Sequence, residues 1–289
     1  MKKKHYIYIL ITYLWSWIFW GLAIYYSRQY NLPLLTNESL LKDILDGKLS
    51  GTKELTITTL SFLAGYGPLL AGLFVVAKST DSLHTLKRLF NVSFDLKFIW
   101  QVLLIILLIG VVPVIILSVL SPNVTFNNEF TFLYIIGFSL VFFVYQFLTA
   151  ATEEIGWRGF MLPSLLDGKK TIWKASVITG LFWAIWHYPI VLYIFFDQGQ
   201  TIATAPLSLI GFTVGTIGMS AVHSYYLIKS NSVIISMFIH ALFNSVPMTM
   251  GLLFSDAYTA SLITQIGIWV VIAYIDKKKD KYFNQTLKF

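Results

Sequence analysis

The sequence predicts an all-α fold: a polytopic membrane helix bundle of about eight transmembrane helices, built as one domain over residues 1–289. Two observations predict it. Mean hydropathy is +0.71, and charged residues make up only 12% of the chain, where a soluble protein carries about 25%. In addition, apolar runs of the length that crosses a hydrocarbon core, about 20 residues, recur from one end to the other. Helix is favoured over strand because the runs lack sustained alternation. A backbone N–H in hydrocarbon also needs its partner within its own segment.

Taken in order, the first run covers 6 to 26. It follows MKKK and so looks like a signal peptide, but no small-residue cleavage site follows it, and it reads as a retained span. Further runs cover 55 to 77, 98 to 120, 131 to 151, 172 to 196, 204 to 228, 232 to 254 and 258 to 275, the last three separated by only a few polar residues. With the N-terminus inside, this threading makes 1 to 5, 78 to 97, 152 to 171, 229 to 231 and 276 to 289 cytoplasmic, with both termini on that side. Lys2 to Lys4, Lys78, Lys87, Arg88, Lys97, Lys169, Lys170, Lys174, Lys229, Lys277 to Lys279, Lys281 and Lys288 then share one side. Arg28, Lys42, Lys48 and Lys53 face outward, offset by Glu38, Asp43, Asp46 and Glu54. The bias agrees with the positive-inside rule, which is evidence independent of hydropathy.

The net charge of +7 is therefore a topology signal concentrated in loops and termini, and the expected surroundings are a lipid bilayer of the cell membrane and no nucleic acid. There is no Cys, which excludes disulfides, thiolate metal sites and thiol catalysis. Chemistry must come from carboxylates, His, hydroxyls and Asn. Trp15, Trp17, Trp20, Trp100 and Trp269 read as interfacial anchors or packing residues. Gly211, Gly215 and Gly218 read as small-residue contacts between helices.

Three places break the apolar pattern: TEEIGWR at 152 to 158, FWAIWHYP at 182 to 189 and FIHALFN at 238 to 244. Three ionisable groups at the centre of a bilayer cost on the order of 9 kcal/mol on insertion scales, so such a cluster needs partners, water or a function. In a helix Glu154 and Arg158 are four apart and can pair, while Glu153 points about 100° away and is left free. The plain alternative is a solvated loop just beyond the fourth span. His187, and His240 with Asn244 four residues on, could equally be helix-to-helix glue at about 0.6 kcal/mol per contact. His5 and His84 read as solvated, and His223 as an interfacial or packing residue.

The three segments, EEIGWR, WAIWH and HALFN, resemble in order the motifs of the type II CAAX prenyl endopeptidase and bacteriocin-processing family, also called the Abi or CPBP intramembrane proteases. The pattern is Glu-Glu-x-x-x-Arg, aromatic-x-x-x-His and His-x-x-x-Asn. The middle element more often begins with Phe, where this chain has Trp183. The resemblance covers roughly residues 130–255, which would be the catalytic core. It implies an intramembrane endopeptidase acting on a membrane-associated peptide or protein, near the cytoplasmic face, in peptide maturation or bacteriocin self-immunity. It also implies that Glu153 is the general base, that His187 orients the same water or carries its proton, and that His240 and Asn244 line the oxyanion site. Glu154 and Arg158 would be a supporting pair.

A carboxylate and imidazoles in a low-dielectric site suit proton transfer, and Asn and His can donate to developing negative charge there. One Glu and two His also match a hydrolytic zinc site, so Glu153, His187 and His240 are candidate ligands of a divalent metal such as Zn, although HExxH is absent. A Ser nucleophile is disfavoured because no GxSxG-like element accompanies the His residues. Two other classes remain open from the residues alone: a non-catalytic membrane regulator or scaffold that keeps the cluster as glue, and a proton-coupled transporter.

Overall fold

Proline and glycine decide where this bundle bends. The computed structural model describes residues 1–48, 51–78, 91, 92, 94–167 and 169–286; His84, Lys87, Arg88 and Lys288 lie outside them. The first helix, α1 (Lys3–Tyr30), ends in a left-handed Asn31, and a short α2 (Asn37–Leu45) starts where the Thr36 hydroxyl accepts the Ser39 N–H. Next come α3 (Thr52–Ala64) and α4 (Gly67–Ala77), bent by 42° at the break between them. The cause is Pro68: it has no N–H for the Ala64 carbonyl, so the helix cannot run on. The freed carbonyls are satisfied from α1, where Ser16 Oγ donates to Ala64 O at 2.7 Å and Trp15 Nε1 to Leu63 O at 2.7 Å.

The next long helix is α5 (Lys97–Leu120). Then a 35-residue helical stretch, Phe132–Leu166, comprises α6 (Phe132–Leu148), a 3₁₀ turn, α7 (Glu153–Gly156), a π turn (Trp157–Met161) and α8 (Leu162–Leu166). After it come α9 (Ile172–Asp197), α10 (Ala205–Ser230), α11 (Val233–Leu253) and α12 (Ser261–Lys278). Among the described residues, six helices are long and apolar enough to cross a membrane, or seven if α3 and α4 count as one span. The chain is a multi-pass membrane protein of the expected all-α class.

The run at 258 to 275 forms α12, whose last turn carries Asp276, Lys277 and Lys278 just beyond that uncharged run. One expectation changes: most of 152 to 171 is not a loop. Residues 153 to 166 continue the fourth span as helix, and all but Ile155 among them are buried.

That segment is wrapped by α1, α4, α9, α10 and α11. Contact with α4 is close enough that a Cβ on Gly156 would overlap the Pro68 carbonyl and the Tyr8 hydroxyl, which explains glycine there. Tyr8 packs edge-on against Trp157 at 5.3 Å. Helix α9 is laced to α1 by Tyr13 Oη to Phe182 O at 2.7 Å and Trp17 Nε1 to Trp186 O at 3.0 Å, while Trp20 packs on Trp186. Of the expected small-residue contacts, Gly215 and Gly218 do face α12, at Gln265 and Ile268, but Gly211 faces open space. His5, expected to be solvated, is 2% exposed and hydrogen-bonded to Ser164 Oγ at 2.8 Å. The turn after α12 folds back, burying Tyr282 and Phe283 near Tyr225 and Trp173.

Candidate active site

Local backbone chemistry sets the acidic segment in place. Thr149 leaves helical geometry (φ −114°, ψ −87°), and the hydroxyls of Thr149 and Thr152 turn back onto the carbonyls of Tyr145 and Thr149, both at 2.6 Å. The chain then re-enters helix at Glu153 and passes into the π turn, a feature that recurs at functional sites because it offsets the side-chain register. Glu153, Glu154 and Arg158 thus project into the bundle interior.

Glu154 is the centre of a closed cluster. It is fully buried, and Arg158 Nη1 lies 3.1 and 3.0 Å from its two oxygens, the i,i+4 pairing expected from the spacing. His240 Nδ1 donates to Oε1 at 2.9 Å from α11, and His223 Nδ1 approaches Oε2 to 3.4 Å from α10. The Arg158 guanidinium also lies over the Trp183 ring, 4.2 Å from its centroid, a desolvated cation–π contact. Such pairing is what makes a buried charge tolerable, although Arg158 Nε and Nη2 and the His223 ring nitrogens are buried without a hydrogen-bond partner among the described residues.

Glu153 is placed differently. Its Oε2 accepts the indole N–H of Trp183 at 2.8 Å, so it is not free as expected, but among the described residues its other oxygen has no hydrogen bond, and the side chain faces a cavity. His187, one turn after Trp183 on α9, donates Nδ1–H to the Trp183 carbonyl at 2.9 Å. That bond leaves Nε2 as an acceptor. Asn244 donates through Nδ2 to Gln146 Oε1 at 2.8 Å, which orients its amide. Glu153, His187, His240 and Asn244 together line a cavity of about 290 Å³ with Trp183, Phe212 and Thr216. A second chamber of about 310 Å³ shares Glu153, His187, Ala150 and Asn37, and extends between Trp20, Phe62, Tyr66, Ile190 and Ile194.

All six expected residues therefore meet, in two groups joined through Trp183 and His240. Among the described residues, however, no three His, Asp or Glu side chains converge to hold a metal ion. Glu153, His187 and His240 border one cavity without forming a coordination set. The arrangement can hold a water between a carboxylate and an imidazole acceptor, with an imidazole and an amide across the same space.

Sequence reasoning missed three participants. His223 is fully buried in the Glu154 cluster, not at an interface. It lies three residues after Ser220 and seven after Thr216, a polar stripe on one helix face that could have flagged it. Gln146 is a buried amide in a mostly apolar span, two turns before Glu153. Trp183 was read as an aromatic wall, whereas it supplies two hydrogen bonds, one from its indole and one at its carbonyl.

Two comparisons bear on this geometry. Residues 135–246 match the profile of the Rce1-like type II CAAX prenyl endopeptidases. A protein of Methanococcus maripaludis named CAAX prenyl protease 2 is 28% identical over 184 residues, which is 61% of this chain and 67% of that protein. The matched segment contains Glu153, Glu154, Arg158, His187, His223, His240 and Asn244.

Proposed function

We propose that this chain, whose residues 135–246 match the Rce1-like type II CAAX prenyl endopeptidases, is an intramembrane endopeptidase that hydrolyses a peptide bond of a membrane-associated peptide or protein with a water activated by Glu153 and His187. The single observation that supports this reading is the convergence of Glu153 from α7, His187 from α9, and His240 and Asn244 from α11 on one cavity.

In the proposed cycle, Glu153 and Nε2 of His187 accept hydrogen bonds from one water and orient its lone pair toward the scissile carbonyl carbon. Glu153 takes the water proton as oxygen attacks. Asn244 Nδ2, which keeps one hydrogen beyond its bond to Gln146, and His240 Nε2 face the oxyanion. Bonded to Glu154 through Nδ1, the His240 ring donates from Nε2 only as the doubly protonated imidazolium, whose charge the carboxylate balances. Collapse of the tetrahedral intermediate passes the proton from Glu153 to the leaving amine, closing the balance: one water in, one peptide bond broken. Donors held in a dry cavity stabilise the developing charge without reorganising.

The process we propose is peptide maturation or bacteriocin self-immunity; the relative's name points to membrane-anchored substrates. The test is the mass of small peptides in cells with and without the gene, followed by processing of the affected peptide by the Glu153→Ala, His187→Ala and His240→Ala proteins at matched levels. Normal processing by all three overturns the reading.

A further inference from the structure

The two ends of the bundle differ in charge and in access. Lys2 to Lys4, Lys97, Lys174, Lys229 and Lys277 to Lys279 sit at helix ends on one side. Between that side and the Glu154 cluster lies a layer in which Trp157, Met161, Leu162, Leu166, Ile172 and Leu227 are all 0% exposed. Tyr282 and Phe283 fold over it.

From the opposite side the site is reached. Both chambers extend from Glu153 and His187 toward the ends where α1 and α9 finish and α2 begins; Leu34, Thr36 and Asn37 form the wall of the larger one, and Thr36 and Asn37 are exposed. Ser27 Oγ and Tyr193 Oη, 3.0 Å apart, and the exposed Arg28–Asp197 pair mark that level. In this part of the chain Arg28, Lys42, Lys48 and Lys53 are offset by Glu38, Asp43, Asp46 and Glu54.

By the positive-inside rule the lysine-bearing end is cytoplasmic. We propose that the cavity opens on the non-cytoplasmic side and takes an extended peptide whose scissile bond reaches the membrane from outside, either after export or from the outer leaflet. The inference rests on the endopeptidase reading for what enters, but not for where the cavity opens. It differs from the expectation of cleavage near the cytoplasmic face.

The chain has no Cys, so single-cysteine labelling needs no prior engineering. Thr36→Cys at the cavity wall and Lys279→Cys at the lysine-bearing end are each exposed to a membrane-impermeant maleimide in intact cells and in opened cells. The expected result is labelling of Thr36→Cys in intact cells and of Lys279→Cys only after opening. The reverse pattern, labelling of both in intact cells, or labelling of neither until opening overturns the proposal. Labelling needs no proteolysis, so failure here is distinct from failure of the catalytic reading, which the Glu153→Ala assay measures separately.

Discussion

Glu153 and Glu154 are adjacent in sequence, yet they occupy two regions governed by different physics. Glu154 is enclosed, with Arg158, His240 and His223 around it. Glu153 has one protein hydrogen bond and borders open space. The closed region neutralises a buried charge and fixes His240; the open region leaves a carboxylate oxygen and an imidazole nitrogen for a water. A polar cluster inside a membrane protein thus divides into the part that makes burial tolerable and the part that can react, and the π turn with the helix phase between neighbours performs the division.

The largest test of that contrast is Glu153→Gln. It keeps the side chain's size and a group at Trp183, but it removes the base, and kcat is expected to fall by about 10²–10⁴ with thermal unfolding unchanged. A residual rate close to the parent's would break the comparison on its open side. On the closed side, Arg158→Met leaves the buried Glu154 without its guanidinium partner and is expected to cost about 3–5 kcal/mol of stability, read as a lower melting temperature in detergent. The double variant Glu154→Gln with Arg158→Met should recover most of it, because no lone charge remains.

Trp183→Phe sharpens the boundary between the regions. It keeps a ring beneath Arg158 and a carbonyl for His187, but loses the indole N–H on Glu153; a hydrogen bond to a charged group contributes about 1.5–3 kcal/mol, so kcat should drop by roughly tenfold or more with little change in KM. Gln146→Leu releases the Asn244 amide and should cost about 0.5–1.5 kcal/mol of transition-state stabilisation, seen as a lower kcat/KM. Chelation of purified protein is expected to leave the rate unchanged. Activity lost on chelation and restored by added zinc would assign Glu153, His187 and His240 to an ion.

The pairings within the candidate site were legible from spacing, since the four-residue steps from Glu154 to Arg158, from Trp183 to His187 and from His240 to Asn244 are helix-phase statements, whereas the three segments were joined into one site only by their resemblance to a known family. Hydropathy failed at 152 to 171 for an identifiable reason. It counts Glu153, Glu154 and Arg158 as three exposed charges, whereas pairing and cation–π contact with residues far along the chain let the helix bury them. His5 was misjudged the same way, since its partner Ser164 is supplied by another helix.

What the sequence by itself determined is the all-α, multi-pass class and which polar side chains break the apolar pattern, because hydrocarbon length and helical period are local properties of the chain. Only the tertiary structure decided which glutamate is enclosed and which is open, that His223, Gln146 and the Trp183 indole adjoin the candidate residues, and toward which end of the bundle the cavity extends. Those depend on packing between helices distant in sequence, where partners from α9, α10 and α11 set the dielectric and the space around each charge.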